Sequence, residues 1–268
     1  MQGPVNLRAL NQPMTDSNPK GRFTSRAEMY RKYRPGYPEA AIHYLIQTLG
    51  MNAGSVIVDV GSGTGLSAEP FLKRGFAVKG VEPNAEMRRA GEDHLKQYAR
   101  FTSVEGSAEE TTLPSQSVDF VVAATAYHWF DPEPTRREFR RILKPGGKVI
   151  LLWNTRRIES PAMAAYEAML DRYADGRKER HGWETIPPDT RAIALFAPRL
   201  PMVSSFPYEQ RFDWQGLKGR LLSASYAPQR GDARYKPMVD RLRRIFKRHA
   251  PDGEFRFEYV TRIYWGPI

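Results

Sequence analysis

The sequence predicts an α/β protein built on a doubly wound, mostly parallel sheet of seven strands, with helices on both faces and a small insertion. Short apolar runs alternate with helix-like segments through the first half of the chain, which is the pattern of strand–helix–strand units with right-handed crossovers. The β-branched run Val56–Val60 leads directly into a glycine-rich turn, Gly61–Gly65. Polar segments follow the ends of several strands, where ligands bind in open α/β sheets.

Composition limits the kind of protein. With 268 residues, 41% of them hydrophobic, the chain can bury a sizeable core in one large domain. The absence of cysteine excludes disulfides, thiolate metal sites and a cysteine nucleophile, and we expect no metal. No apolar run has the length of a membrane span, and the first residues lack the apolar core of a secretory signal. We therefore expect a cytoplasmic protein with no membrane partner.

The charge is strongly basic, with a net value of +11. This favours an anionic partner such as nucleic acid, an acidic small substrate or a membrane surface, although a solvated basic surface explains it equally well. The densest basic segment is Arg241–Arg248, in which Met238, Leu242, Ile245 and Phe246 fall at helical spacing. That spacing predicts an amphipathic helix with a charged outer face.

The elements of the first half follow in order. Residues 1–22 are polar without periodicity and are predicted to be a flexible arm before a domain over 23–268. A helical face within Phe23–Tyr37 ends before Pro35, and Pro38 opens a helix that stops at Gly50. The other expected elements are strands at Val56–Val60, Phe76–Val81, Phe101–Val104, Val118–Ala124 and Lys148–Trp153, and helices at Ser67–Lys73, after Asn84 and after Asp131-Pro132.

The rhythm changes after Asn154. Ser160-Pro161 begins a helix, and two further strands are expected at Ser204–Phe212 and Glu254–Tyr264. We interpret residues 155–207 as a cap or insertion on the substrate side.

The glycine turn and Glu82 indicate a nucleotide-like ligand. Glycines leave no Cβ in the way, so a ligand can lie against bare backbone at the start of the following helix. Glu82 ends the second strand, where a carboxylate can accept both hydroxyls of a ribose. Both features also have plainer interpretations: a tight turn without a ligand and an ordinary loop glutamate.

Six motifs follow one another between about Phe23 and Asn154. They are Tyr30–Pro38, Asp59–Gly65, Val81–Asn84, Gly106–Glu109, Ala124–Asp131 and Phe139–Gly147. In these motifs and their order the sequence resembles the class I S-adenosylmethionine-dependent methyltransferases, and most of all their type 11 small-molecule group. A narrower similarity, to trans-aconitate methyltransferase-like members, lies in His128-Trp129-Phe130. The resemblance implies a Rossmann-like fold.

The resemblance implies S-adenosylmethionine as cofactor and assigns roles to individual residues. The glycine turn would hold the methionine part, Glu82 the ribose, the segment after the third strand the adenine, and Arg34 the cofactor carboxylate. The expected cofactor-binding residues are Tyr30, Arg34, Gly61, Ser62, Gly63, Thr64, Gly65, Glu82, Pro83, Ser107, Ala108, Glu109, Ala124 and Thr125.

The acceptor is expected to be a small molecule with an oxygen, nitrogen or carbon nucleophile. A general base is needed only if the acceptor must lose a proton, and His128 is the candidate, with packing beside Trp129 as the alternative. A carboxylate acceptor needs cationic anchors instead of a base. Candidate acceptor-binding residues are Tyr33, Tyr127, Trp129 and Trp183.

Two other functions compete. A nicotinamide-dependent oxidoreductase is disfavoured because the turn lacks the GxGxxG spacing, Leu66 standing where the third glycine would be. An RNA methyltransferase is motivated by charge, but no RNA-binding module is recognisable, so nucleic acid is not the expected partner. The sequence leaves a monomer and a homodimer equally open.

Overall fold

The computed structural model describes residues 27–174, 188–224 and 226–268. Within these residues the sheet has seven strands. They are β1 (Val56–Val60), β2 (Ala77–Val81), β3 (Phe101–Val104), β4 (Val118–Ala124), β5 (Leu143–Arg156), β6 (Met202–Phe212) and β7 (Phe255–Gly266).

Helices cover both faces of this sheet. Those described are α1 (Ala27–Tyr33), α2 (Glu39–Leu49), α3 (Glu69–Leu72), α4 (Ala85–Leu95), α5 (Pro132–Ile142), α6 (Pro161–Tyr173), α7 (Pro188–Phe196), α8 (Trp214–Leu222) and α9 (Tyr235–His249), with a 3₁₀ turn at Tyr127–Trp129.

The strand order is β3-β2-β1-β4-β5-β7-β6. The pairs from β3 to β5 are parallel, whereas β7 runs antiparallel to both of its neighbours, β5 and β6. The order reverses at β1, between β2 and β4. In open α/β sheets the crevice at such a reversal is where ligands bind, at the carboxyl ends of the strands.

The predicted fold class is confirmed, and most predicted elements lie within a few residues of the observed ones. The second strand begins at Ala77 rather than Phe76, the fifth extends over Leu143–Arg156, and the regular helix after the glycine turn is only Glu69–Leu72. Helix α9 buries Met238, Leu242 and Ile245, as its spacing predicts.

Local sequence explains where the helices begin and end. Asn84 caps α4, its side chain accepting from the N–H groups of Glu86 at 3.1 Å and Met87 at 3.0 Å. Gly50 ends α2 in the left-handed region at φ 62°. Asp131 precedes α5 as predicted, but its side chain makes no capping hydrogen bond; proline, which lacks an N–H, follows it at the first helical position.

Three hydrophobic clusters hold the elements together. One lies on the sheet face covered by α5 and α7, and another on the face covered by α2 and α3. The third joins α6, α8, α9 and the first half of β7. Helix α6, from the predicted insertion, thus shares a core with elements near the end of the chain. That residues 155–207 act as a cap stays a proposal.

Candidate active site

A cavity of about 170 Å³ lies at the carboxyl ends of β1, β2 and β4, where the strand order reverses. It brings together backbone, carboxylate, hydroxyl and aromatic groups from segments far apart in the chain. Its walls are Tyr30, Gly61, Gly63, Glu82, Pro83, Asn84, Met87, Ser107, Ala108, Glu109, Ala124, Thr125, Ala126, Trp129 and Phe130.

Two glycines of the turn form the cavity floor. Gly61 and Gly63 have φ angles of 69° and 55°, in the left-handed region that side chains disfavour. A Cβ at Gly61 would lie 2.8 Å from the Cβ of Ala126, so no larger residue fits there. The turn is fixed to β2, since the N–H of Gly61 donates to the carbonyl of Val81 at 2.9 Å.

The other predicted turn residues support the turn and do not line the cavity. A Cβ at Gly65 would lie 2.6 Å from Cδ1 of Leu95, and Ser62 packs against Gly80. Thr64 is buried, and its carbonyl contacts the ring Nδ1 of His94 at 2.9 Å. Ser62, Thr64 and Gly65 therefore anchor the turn to α4 and β2.

Glu82 is held rigidly in the cavity wall. It is only 8% exposed, and its carboxylate accepts from the N–H of Gly63 at 2.9 Å and from the N–H of Asn84 at 2.8 Å. Hydrogen bonds to an ionised carboxylate are strong and directional. The carboxylate therefore faces the cavity in a fixed orientation while also fixing the glycine turn.

Asp59 is a buried carboxyl behind the turn, and the sequence analysis assigned it no role of its own. It is 1% exposed and accepts from the hydroxyl of Ser67 at 2.6 Å. Burial raises the pKa of Asp59 to about 7; the Ser67 hydrogen bond opposes this shift, and the charge of Glu82 adds to it. An acidic residue inside an apolar strand was the signal that could have identified it.

The segment after β3 forms one end of the cavity. Ser107 closes a turn, its N–H donating to the carbonyl of Glu110 at 2.9 Å, and Ala108 is 3% exposed. Glu109 accepts from the N–H of Asp131 at 3.0 Å, which links this segment to the start of α5. All three predicted residues of this segment line the cavity.

The backbone is strained where β4 ends. Thr125 has a φ of 53°, a conformation that β-branched residues rarely adopt. Its N–H donates to the carbonyl of Leu152 at 2.7 Å, and its hydroxyl hydrogen-bonds the hydroxyl of Tyr37 at 3.0 Å. Burial raises the pKa of Tyr37 far above its usual value. Such strained residues cluster at functional sites, and this one lines the cavity beside Ala124.

The segment before α2 contributes Tyr30 to the cavity, but not Tyr33 or Arg34. The guanidinium of Arg34 stacks 4.9 Å from the centre of the Tyr30 ring and donates to the carbonyl of Ser223 at 3.2 Å. Tyr33 packs against Gly219 of α8. Arg34 thus lies behind Tyr30, faces α8 and is outside the cavity wall, and its expected role at the cofactor carboxylate stays a prediction.

The aromatic segment after β4 divides between cavity and core. Trp129 lines the cavity, whereas Tyr127 is fully buried and packs edge-on against Phe130 and Trp153. Tyr127 therefore lies in the core and outside the cavity wall, and its expected role at an acceptor stays a prediction. His128 is half-buried outside the cavity wall, with its ring 4.7 Å from that of Trp129. Trp183 lies outside the described residues.

Sequence reasoning did not assign several residues that shape the site. Met87, Ala126 and Phe130 supply its apolar surface. Gly91 of α4 lies against the glycine turn, since a Cβ there would sit 2.9 Å from the carbonyl oxygen of Gly63. None of these residue types signals a binding role without the three-dimensional contact.

A shallower depression of about 280 Å³ lies against the β6–β7 pair, at Arg157, Pro207, Tyr208, Glu209, Glu258 and Tyr259. It lacks a glycine turn. No helix among the described residues is apolar and long enough to cross a bilayer. The same residues contain no cluster of three side chains able to hold a metal ion.

Comparison with known proteins agrees with this geometry. Residues 58–151 match the family described as Methyltransferase domain. An uncharacterised methyltransferase of Mycobacterium tuberculosis is 38% identical over 134 residues, which are 50% of this chain and 52% of that protein. An uncharacterised methyltransferase of Schizosaccharomyces pombe is 31% identical over 151 residues, which are 55% of this chain and 58% of that protein. The matched stretches are thus little more than half of each relative.

Solved structures share the fold. A proposed type II methyltransferase of Anaeromyxobacter dehalogenans superposes with a TM-score of 0.62 at 22% identity, covering 87% of this chain and 97% of that one. A proposed methyltransferase of an antibiotic biosynthesis pathway from Anabaena variabilis superposes with a TM-score of 0.60 at 21% identity. The superposition covers 87% of this chain and 98% of that one. Residues 58–151 are therefore similar to methyltransferase domains, and the chain shares the fold of these solved structures.

Proposed function

We propose that the protein transfers a methyl group from S-adenosylmethionine to a small-molecule acceptor that binds beside the cavity. The observation that carries this proposal is the convergence of Gly61, Gly63, Glu82 and the Ser107–Glu109 segment on one cavity. These residues are the ones whose roles the family resemblance implies.

The residues present fit the cofactor chemically. The carboxylate of Glu82 has a fixed orientation suited to a ribose diol, and Ala108 and Met87 offer apolar surface for an adenine. When bound, the cofactor supplies a methyl group already activated by a sulfonium. The protein's own contribution is then alignment and exclusion of water, for which a rigid, largely buried site is suited.

The end of β4 is proposed to form the boundary between cofactor and acceptor. Ala124 and Thr125 lie in the cavity wall, and the Thr125–Tyr37 hydrogen bond holds the segment before α2 against it. Tyr30 covers the same wall from the N-terminal side. An acceptor entering between these segments would be positioned by them. His128 stays a candidate for an orienting or proton-accepting group.

Neither the family match nor the relatives above support the nicotinamide or RNA alternatives. Calorimetry with S-adenosylmethionine and its demethylated product, S-adenosylhomocysteine, tests the proposal directly. We expect both to bind and NAD not to bind. Transfer of a labelled methyl group should be seen with a metabolite extract and should survive nuclease treatment. Absence of cofactor binding by the folded protein would refute the proposal.

A further inference from the structure

The outer face of α9 is strongly basic. Its apolar side chains Met238, Leu242 and Ile245 are buried in the third hydrophobic cluster, so the helix is held firmly on one side and open to solvent on the other. Its exposed basic side chains are Lys236, Arg241, Arg243, Arg244, Lys247 and Arg248. We call the last five of these, from Arg241 to Arg248, the basic face.

The basic face is not neutralised by the protein itself. The one acidic residue of α9, Asp240, pairs with Lys236 at 2.9 Å. The hydrogen bond from Lys236 lowers the pKa of Asp240, and the charges of Arg244 and Arg243 lower it further. Among the residues that the structure describes, the side chains of the basic face form no ion pair. The face therefore presents five uncompensated positive charges to solvent.

The stability of α9 does not account for this charge. Lys247 and Arg248 lie in the last turn, where cations interact favourably with the helix dipole. Arg241, Arg243 and Arg244 lie in the middle of the helix, where that effect is small. Arg244 is three residues from Arg241 and four from Arg248, the spacings at which like charges on a helix repel each other. The sequence thus keeps a row of charges that weakens the helix, which a binding partner explains.

One arginine of the basic face is held by an aromatic ring. The guanidinium of Arg243 lies 5.2 Å from the centre of the Trp214 ring, and Trp214 packs edge-on against Phe246 with the ring centres 5.9 Å apart. Stacking on an aromatic ring orders a long side chain and so reduces the entropy that it loses on binding. Arg243 is nevertheless exposed, which leaves its N–H groups open to a ligand.

The spacing of the charges matches the backbone of a nucleic acid duplex. Arg241 and Arg248 are separated by about 10 Å along the helix axis at the ordinary rise of an α-helix. The basic face thus carries one positive charge per about 2 Å of its axis, whereas a DNA duplex carries one negative charge per about 1.7 Å. Four of the five cations are arginines, whose planar guanidinium groups bind phosphate by paired hydrogen bonds.

Two other anionic surfaces fit the basic face less well. A helix that binds an anionic bilayer usually places its apolar side chains among the lipids, but those of α9 are committed to the protein core. The surface of a soluble protein mixes charges of both signs, so it seldom offers a matching continuous row of anions.

We propose that the basic face of α9 is a docking surface for the phosphate backbone of a nucleic acid duplex. The surface is separate from the cavity, because α9 packs on α6 and α8 and none of its residues lines the cavity wall. A nucleic acid bound there is a docking partner and not the methyl acceptor, which goes beyond the proposed function. Phosphate contacts of this kind carry little sequence specificity.

Fluorescence anisotropy of short labelled DNA and RNA duplexes, titrated with the full chain at several salt concentrations, tests the proposal. Five phosphate contacts release about five counterions, so a logarithmic plot of DNA affinity against salt should have a slope of about −4 to −5. The DNA affinity should therefore fall roughly 500-fold between about 0.05 M and about 0.2 M salt. Vesicles containing phosphatidylserine and the acidic peptide polyglutamate, at equal total charge, should each bind at least about 10-fold more weakly than the duplexes.

Paired substitutions locate the binding on α9. Arg241→Gln with Arg244→Gln should reduce the salt slope by about 2 and weaken duplex binding by roughly 60-fold at about 0.1 M salt, since each removes one phosphate contact. The same two positions changed to Lys should keep the slope, because counterion release depends on charge. Arg137→Gln with Arg140→Gln is the matched control, an exposed pair with the same spacing on α5. It should keep the slope as well.

Three outcomes would overturn the proposal. No duplex binding at about 0.05 M salt, where non-specific affinity is high, would mean that the basic face is only solvated. An equal loss of binding in the α9 and α5 pairs would place the nucleic acid elsewhere on the protein. Vesicles or polyglutamate that bind as tightly as the duplexes, and lose affinity in the α9 pair, would assign the face to a membrane or to an acidic protein.

Discussion

Glu82 shows how one side chain can both hold a cavity wall in place and form part of that wall. Its carboxylate fixes the N–H groups of Gly63 and Asn84 while facing the cavity. The sequence analysis found Glu82 because of its place at the end of a strand. It could not find the two hydrogen bonds, because they depend on how the turn bends back over β2.

Replacing Glu82 by Gln should weaken cofactor binding by about 1–3 kcal/mol, since a neutral amide loses the charge-assisted hydrogen bonds of a carboxylate. Calorimetry with S-adenosylhomocysteine measures this. Glu86→Gln, on the exposed first turn of α4, is the control and should have no effect. Equal affinity for Glu82→Gln and the unmodified protein would remove Glu82 from the cofactor site.

Asp59 should make stability depend on pH. The unfolded chain releases this proton near the ordinary value of 3.8, whereas the folded protein keeps it up to about 7. Stability is therefore lost as the pH rises between these values, by on the order of 4 kcal/mol in total. Asp59→Asn keeps an acceptor for Ser67 and should remove this loss.

The melting temperatures of the unmodified protein and of Asp59→Asn, measured between about pH 4 and about pH 7, test this prediction. The melting temperature of the unmodified protein should fall relative to that of Asp59→Asn, and the exposed Asp93→Asn should follow the unmodified protein. Parallel curves for all three would mean that Asp59 ionises normally in the fold.

At the scale of elements, helix α4 sets the position of the glycine turn. Gly91 allows the helix to touch the carbonyl of Gly63, and Leu95 packs where Gly65 has no side chain. Local signals predicted this helix, since Asn84 caps it as expected. These local signals did not explain why Gly91 lies inside the helix, because the explanation is its contact with the glycine turn.

Gly91→Ala tests the contact between α4 and the turn. Alanine favours the helix by about 0.5–1 kcal/mol, but its Cβ would press on backbone, which costs about 1–3 kcal/mol when a packed site must shift. We expect weaker binding of S-adenosylhomocysteine by calorimetry, with the helix intact by circular dichroism. Arg89→Ala, exposed on the same helix, should bind normally. Normal binding by Gly91→Ala would show that the turn tolerates the shift.

Elements with continuous apolar runs were predicted best. Val56–Val60 and Val118–Ala124 match their strands residue for residue, because a parallel strand buried on both faces is apolar at nearly every position. β5 was predicted too short because its first residues, Leu143–Gly147, read as a proline–glycine turn although the first of them pairs with Val118. Lys144 in that stretch bonds Asp119, a contact between strands that local patterns do not contain.

At the scale of the whole molecule, the sequence predicted the number of strands but not their order. β7 lies between β5 and β6 and runs antiparallel to both, so β6 becomes the edge strand although it precedes β7 in the chain. The hydrogen bond between Arg34 and Ser223 also depends on the tertiary fold, since the two residues are 189 apart in sequence. The net charge of +11 hinted at an anionic partner without showing where it would bind.

The antiparallel return of β7 also sets an order of assembly during synthesis on the ribosome. Among the described residues, β6 pairs only with β7, and Phe255 emerges more than forty residues after Phe212 closes β6. Until then, the nascent chain presents two bare hydrogen-bonding edges, on β5 and on β6, to other molecules. Translational pausing or premature termination before Phe255 should therefore yield a species that depends on chaperones, even though the half predicted to bind the cofactor has already been made.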